Sequence, residues 1–266
     1  MTIKRFLFSA PALALAGLLA FASGPALAAA GAKPEARDWS FHGMFGTYDR
    51  GAQQRGFQVY REVCAACHSL RLVAYRNLDG IGLSEDQIKA VAAEYEVTDG
   101  PNEEGEMYSR PAKPSDRFVS PFANDNAARA ANNGALPPDL SLMAKARKGG
   151  PDYLYALLTG YKEEPPEGVK LNEGMNYNVY FPAHQIAMAP PLEDDAIEYP
   201  DGTKPTLNQL SEDVTTFLNW AAEPELEERK RLGIKVLLFL IVLTAMMYAL
   251  KRQVWRDQHL GPVSPK

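Results

Sequence analysis

The chain has 266 residues, is 46% hydrophobic and carries a formal net charge of −5, enough material to bury one core in a single domain. The charge is uneven: residues 31–225 hold 18 Lys and Arg against 30 Asp and Glu, a net of −12. So acidic a body argues against nucleic acid as a ligand and suits the steering of a basic partner.

In chain order, Lys4 and Arg5 precede an apolar run over 6–22 and a small-residue stretch ending Ala26-Leu27-Ala28. This is the pattern of a secretory signal, so residues 1–28 are set aside from the fold and the body is expected outside the cytoplasm. The segment 48–67 places Ala52, Val59, Tyr60, Val63 and Cys67 at helical spacings. It predicts a helix that delivers two cysteines at its C-terminal end.

Those cysteines belong to Cys64-Ala65-Ala66-Cys67-His68, the spacing that attaches a haem covalently. Two thiols three residues apart can add to the two vinyl groups of a porphyrin, and the histidine that follows supplies the proximal iron ligand. A zinc site would need further nitrogen or sulfur ligands, and the chain has only these two cysteines. A redox dithiol or a structural disulfide is the remaining alternative, but neither requires the histidine.

Beyond the motif, Ser84-x-x-Gln87 matches a capping box, and Ile88, Val91, Ala92 and Tyr95 predict the apolar face of a second helix. Residues 98–126 read as a long surface loop containing Tyr108, Phe118 and Phe122. A short helix is expected over 125–131, another from an Asp139 cap to Gly149, and a third from Pro151 to Gly160. Between 161 and 205 prolines recur and no helix is expected. A last helix of the body carries Leu207, Leu210, Val214, Phe217, Leu218 and Ala221 on one face.

The stretch 232–250 is apolar all round apart from Lys235. At about 1.5 Å per residue it spans roughly 28 Å, close to the thickness of a bilayer's hydrocarbon core, and predicts one transmembrane helix. Basic residues flank both of its ends, so orientation follows from the signal: the body 31–225 lies outside and the tail 251–266 returns to the cytoplasm.

A haem held from below by His68 needs either a second axial ligand or an open face. The candidates are Met44, Met107, Met143, Met175 and Met188, with His42 and His184 as nitrogens. Met188 is preferred, because its neighbours in Ile186-Ala187-Met188-Ala189-Pro190-Pro191 are small and the prolines stiffen the chain. Met175, His184 and an open site stay possible on these grounds.

The strings WSFHGMFGTYD, VCAACHSL, DGPNEEGEMYSRPAKPSDRF, ARAANNGALPPDLS, YLYALLTGY, YFPAHQIAMAPPL and DVTTFLNWAAEPE resemble the cytochrome c1 family, the haem subunits of cytochrome bc1 complexes. The resemblance implies a mostly α, class I c-type cytochrome-like haem domain with long loop insertions plus one C-terminal transmembrane helix. It implies one haem c bound through Cys64 and Cys67, with His68 and Met188 as axial ligands. Arg147 stands where a family arginine pairs with a haem propionate, and Tyr153 in a segment that lines the haem. The implied role is electron transfer rather than catalysis. The haem takes one electron from a Rieske iron-sulfur protein and gives it to cytochrome c, in a complex with cytochrome b at the inner membrane, the haem domain being periplasmic. A tethered cytochrome serving an oxidase or another dehydrogenase is the alternative. The extra cysteine pair of some bacterial members and the long acidic N-terminal insertion of other members are absent, which leaves the acidic residues 94–106 and Glu193, Asp194 and Asp195 as candidates for partner docking.

Overall fold

A computed structural model describes residues 31–256. The expected signal at 1–28 and the residues after 256 of the expected tail lie outside the described residues. Among the described residues seven α-helices and four short strands follow in order: α1 (Arg50–Glu62), α2 (Glu85–Ala93), β1 (Glu96–Asp99), β2 (Tyr108–Pro111), α3 (Asp125–Ala131), α4 (Met143–Ala146), α5 (Gly150–Thr159), β3 (Asn176–Tyr177), β4 (Gln185–Ile186), α6 (Leu207–Ala222) and α7 (Leu226–Arg256). β1 pairs antiparallel with β2, and β3 with β4.

The core is the crossing of α1 with α6. Asp49 caps α1 by accepting from the Ala52 N–H at 3.1 Å. The helix then turns Phe57, Val59 and Tyr60 inward against Leu210, Val214, Phe217 and Trp220 of α6. Gly56 permits the close approach: a Cβ there would lie 2.0 Å from the Asp213 carbonyl oxygen. Next to it Arg55 holds the fully buried Asp213 carboxylate through two bonds of 2.9 and 3.0 Å, so the buried charge is paired. The apolar face expected of α6 is this core face, with Leu207 at its margin only partly buried.

Three expectations need correction. First, α1 ends at Glu62, and Cys64–Ala66 wind as a 3₁₀ turn rather than continuing the α-helix to Cys67. Second, the helix expected over 139–149 shrinks to α4, because the Asp139 carboxylate is drawn to other donors instead of capping it. Third, the loop expected over 98–126 begins inside β1 and holds β2, and the two pair as a ribbon. Arg110 fastens this ribbon by bonding Asp99 and, at 2.6 and 3.1 Å, Asp116. Of its aromatics Phe118 enters the core, stacked on Tyr75 at 4.5 Å, Phe122 is half-buried and Tyr108 is exposed. The capping box at Ser84 forms as expected, with both reciprocal bonds made, and α3 spans the predicted residues.

α7 follows α6 after a short break at Glu223–Glu225 and runs 31 residues, about 46 Å at helical rise. It is long and apolar enough to cross a membrane, and none of its apolar stretch is buried by the other described residues.

Candidate functional site

The site is built outward from the turn that ends α1. The Cys67 and His68 N–H groups both donate to the Cys64 carbonyl, at 3.1 and 2.8 Å, so one oxygen organises the whole motif. Both cysteines are unpaired, Cys64 half-buried and Cys67 exposed. Burial, then the neighbouring Cys67, pushes the Cys64 thiol up to about 12. A redox dithiol works by depressing the pKa of one thiol, the opposite of the direction at Cys64.

His68 Nδ1 lies 2.8 Å from the Pro138 carbonyl oxygen. A carbonyl only accepts, so Nδ1 carries the proton and Nε2 keeps its lone pair free for a metal. Burial lowers the pKa of the imidazole, against the opposing pull of Pro138 and Asp139, which favours the neutral ring that an iron ligand must be.

The Pro138 carbonyl is itself held in place by Asp139, a residue the sequence presents only as a helix cap. One oxygen of Asp139 accepts from Ser69 Oγ and from the Arg71 N–H, each at 2.8 Å, and the other from the Ser141 N–H at 2.9 Å. Alongside, the Leu140 N–H donates to the Ser69 carbonyl at 2.9 Å, and the Leu72 N–H to Ser141 Oγ at 3.0 Å. Together these bonds join 68–72 to 138–141, two segments about 70 residues apart in sequence. Desolvation would raise the Asp139 pKa, but these donors outweigh it and keep the carboxylate below its ordinary range. Leu72, Leu136 and Leu142 remain exposed around the clasp, an apolar rim of the kind a porphyrin edge covers.

The other predicted ligand is held differently. Met188 follows β4 and is half-buried. Its carbonyl accepts from Tyr161 Oη at 3.2 Å and from Asn176 Nδ2 at 3.3 Å, which fixes the backbone that presents the thioether. Asn178, fully buried, braces the turn before it. Its Nδ2 donates to Leu157 O at 2.8 Å, and its Oδ1 accepts from the Tyr180 and Phe181 N–H groups at 3.0 and 3.2 Å.

The rival ligands are placed as follows. His184 has Nδ1 3.3 Å from the Asn178 carbonyl and stacks on Tyr177. Met143 is in the core, Met44 and Met107 are exposed, and Met175 is half-buried in the turn before β3. His42 is exposed beside Phe41.

Arg147 ends α4 with its side chain exposed and has no ion-pair partner among the described residues. Tyr153 projects from the first turns of α5 and is half-buried. Burial raises its pKa while the nearby Arg147 charge opposes the shift. Tyr161 is raised by burial and senses Tyr153. Arg147, Tyr153 and Tyr161 therefore lie within electrostatic reach of one another, and Tyr161 is bonded to the Met188 backbone. Of these Tyr161, like Asn176 and Asn178, is missed by the sequence, since a tyrosine or asparagine in a proline-rich loop carries no local signature of what it braces.

Of the acidic docking candidates, Glu94 pairs with Arg61 at 2.6 Å, Glu96 accepts from Ser109 Oγ at 2.7 Å, Asp99 pairs with Arg110, and Asp194 accepts from the Leu207 N–H at 2.7 Å at the start of α6. These four side chains have structural partners; Glu103, Glu104, Glu106, Glu193 and Asp195 are exposed.

Residues 39–258 match the Cytochrome C1 family. The chain is 53% identical to a cytochrome c1 of Rhodospirillum rubrum over 262 residues, covering 92% of this chain and 96% of that protein. It is 53% identical to the cytochrome b-c1 complex catalytic subunit of Candida albicans, over 85% of this chain and 78% of that one. A cytochrome c1 heme protein of Saccharomyces cerevisiae is 54% identical over 82% of this chain and 70% of its own length.

Proposed function

The chain belongs to the cytochrome c1 family, and we propose that its one covalent haem c is held by Cys64 and Cys67 and ligated by His68 and Met188. As a member of that family it is an electron-carrier subunit of a cytochrome bc1 complex, with cytochrome b in the same assembly, and not an enzyme by itself.

The observation that carries the site assignment is the 2.8 Å contact between His68 Nδ1 and the Pro138 carbonyl, which leaves Nε2 as the only ring nitrogen able to ligate. When bound, the haem iron supplies a one-electron couple. The protein's work is to set the environment of that couple. Cys64 and Cys67 tether the porphyrin, and the Asp139 clasp holds the Pro138 carbonyl so that the His68 ring keeps one orientation and one tautomer. Met188 offers a thioether, which raises the potential relative to a second histidine. Arg147, which has no carboxylate partner among the described residues, would pair with a haem propionate, and Tyr153 would line the same side.

The electron enters from a Rieske iron-sulfur protein and leaves to a cytochrome c. The acidic body draws a basic acceptor by long-range attraction, so transfer to it slows as ionic strength rises. The signal over 1–28 is removed, the body 31–225 is periplasmic, residues 232–250 span the inner membrane and 251–266 form the cytoplasmic tail. The hydropathy of α7 supports the single span.

The test is made in the purified complex. Quinol is expected to reduce this haem while the Rieske protein is present and to fail once that protein is removed. Continued reduction after removal overturns the donor assignment. Isolation of the solubilised chain without cytochrome b and a Rieske protein would instead favour the tethered-carrier alternative.

A further inference from the structure

We propose that the loop 42–46 is a membrane-surface wedge, with Met44 and Phe45 inserted into the headgroup and upper acyl region of the bilayer beside α7. The proposal rests on the reading of α7 as the membrane anchor. Phe45 is 79% exposed and Met44 59%, and two large apolar side chains adjacent on one tip are an unusual thing to leave in water.

The loop is a built element. On its flanks Trp39, Phe41 and Tyr48 are buried and packed ring to ring, Trp39 to Phe41 at 5.5 Å and Phe41 to Tyr48 at 5.1 Å. Only the tip projects. Gly43 has φ +72 with open space around it, and Gly46 closes the turn so tightly that a Cβ would lie 1.9 Å from the His42 carbonyl oxygen.

What lies under the tip follows from its attachment. Lys230 Nζ, on the second turn of α7, donates to the carbonyls at the two ends of the loop, Phe41 O at 2.6 Å and Gly46 O at 2.9 Å. Glu227, one turn earlier, accepts from the Tyr48 N–H at 2.9 Å and pairs with Arg50 at 3.0 Å. Lys230 stands two residues before Leu232, where the apolar stretch begins, about 3 Å along the helix axis. The tip is therefore clamped at the level where α7 passes from water into lipid. Aromatic and thioether side chains are suited to that depth. With α7 as one support and the wedge as a second, the body is held at a set angle to the membrane.

Variants of the full chain with one cysteine added to the haem-linked pair, purified in the whole complex and placed in phospholipid nanodiscs, carry a nitroxide label at position 45 (Phe45→Cys) or 44 (Met44→Cys). Leu240→Cys on α7 and Val119→Cys on the body serve as references. Relaxation of each label by oxygen and by a water-soluble nickel chelate is compared. The expected result is a several-fold preference for oxygen at 44 and 45, between the values at 119 and 240. Labels at 44 and 45 that match position 119 overturn the wedge, and labels reached by neither reagent overturn it in favour of a covering protein subunit. If position 240 itself behaves like 119, the anchor reading fails and takes the wedge with it.

Discussion

The two sides of the candidate haem site are secured in opposite ways. The histidine side hangs on a helix end and a carboxylate: α1 delivers 64–68, and Asp139 ties 69–71 to 138–141 through charge-assisted bonds. The methionine side has no α-helix. Residues 161–192 rely on a two-residue β-ribbon, on Asn178 and on Tyr161 and Asn176, all with neutral hydrogen bonds, and two non-glycine residues, Ala183 and His184, adopt positive φ of 59° and 58°. The proposed histidine ligand thus sits beside a charge-assisted clasp, and the proposed methionine ligand on a loop whose backbone is braced by neutral hydrogen bonds. The contrast predicts that damage to the histidine side costs global stability, whereas damage to the methionine side first shows at the iron.

The largest effect is expected from Asp139→Ala, which strands three donors that now meet a charged acceptor, the buried Ser141 N–H, the half-buried Ser69 hydroxyl and the N–H of the exposed Arg71. A loss of about 3–5 kcal/mol is expected in denaturant unfolding of the solubilised chain, together with a lower yield of covalent haem. The same carboxylate makes the histidine side acid-sensitive. Its folded pKa lies below the ordinary value of 3.8, so its contribution is complete above that pH and is lost as pH falls through the depressed pKa. In Asp139→Asn the acid-unfolding curve should lose that component while wild type keeps it.

Asn178→Ala should cost less, about 2–3 kcal/mol, since the lost partners are neutral. Carbon monoxide binding to the ferrous protein should rise while the covalent haem stays attached; a variant as closed to carbon monoxide as wild type would show that Asn178 does not brace the ligand loop. Met188→Leu keeps side-chain volume and should cost under about 1.5 kcal/mol in packing. Its potential should nonetheless fall markedly and the iron become open to external ligands, and an unchanged potential would return the search to Met175 or His184. Smallest is Tyr161→Phe, one hydrogen bond or about 1 kcal/mol, read as a modest fall in potential with the fold intact.

How much of this was legible beforehand differs between the two sides for the same physical reason. The 64–68 motif, the Ser84 capping box, the apolar face of α6 and the membrane-length stretch of α7 all depend on residues within a few turns of one another, so spacing reports them. The Asp139 clasp does not, because its donors at 69 and 71 come from a segment that reaches it only through the packing of the core. Read locally, Asp139 looked like a cap for a long helix, and the competing donors shortened that helix to four residues. On the methionine side the residue itself was preferred from its small and proline neighbours, but nothing local pointed to Tyr161, Asn176 or Asn178.

The sequence by itself determined the chemistry that needs short spacing: two thiols and an imidazole on one turn, an acidic body and a single apolar span. Only the tertiary structure decided which carbonyl sets the His68 tautomer, which side chains brace Met188, and that Lys230 pins an apolar loop at the membrane end of α7. Each of these joins segments far apart in sequence, and such contacts exist only once the core of α1 and α6 has brought them together.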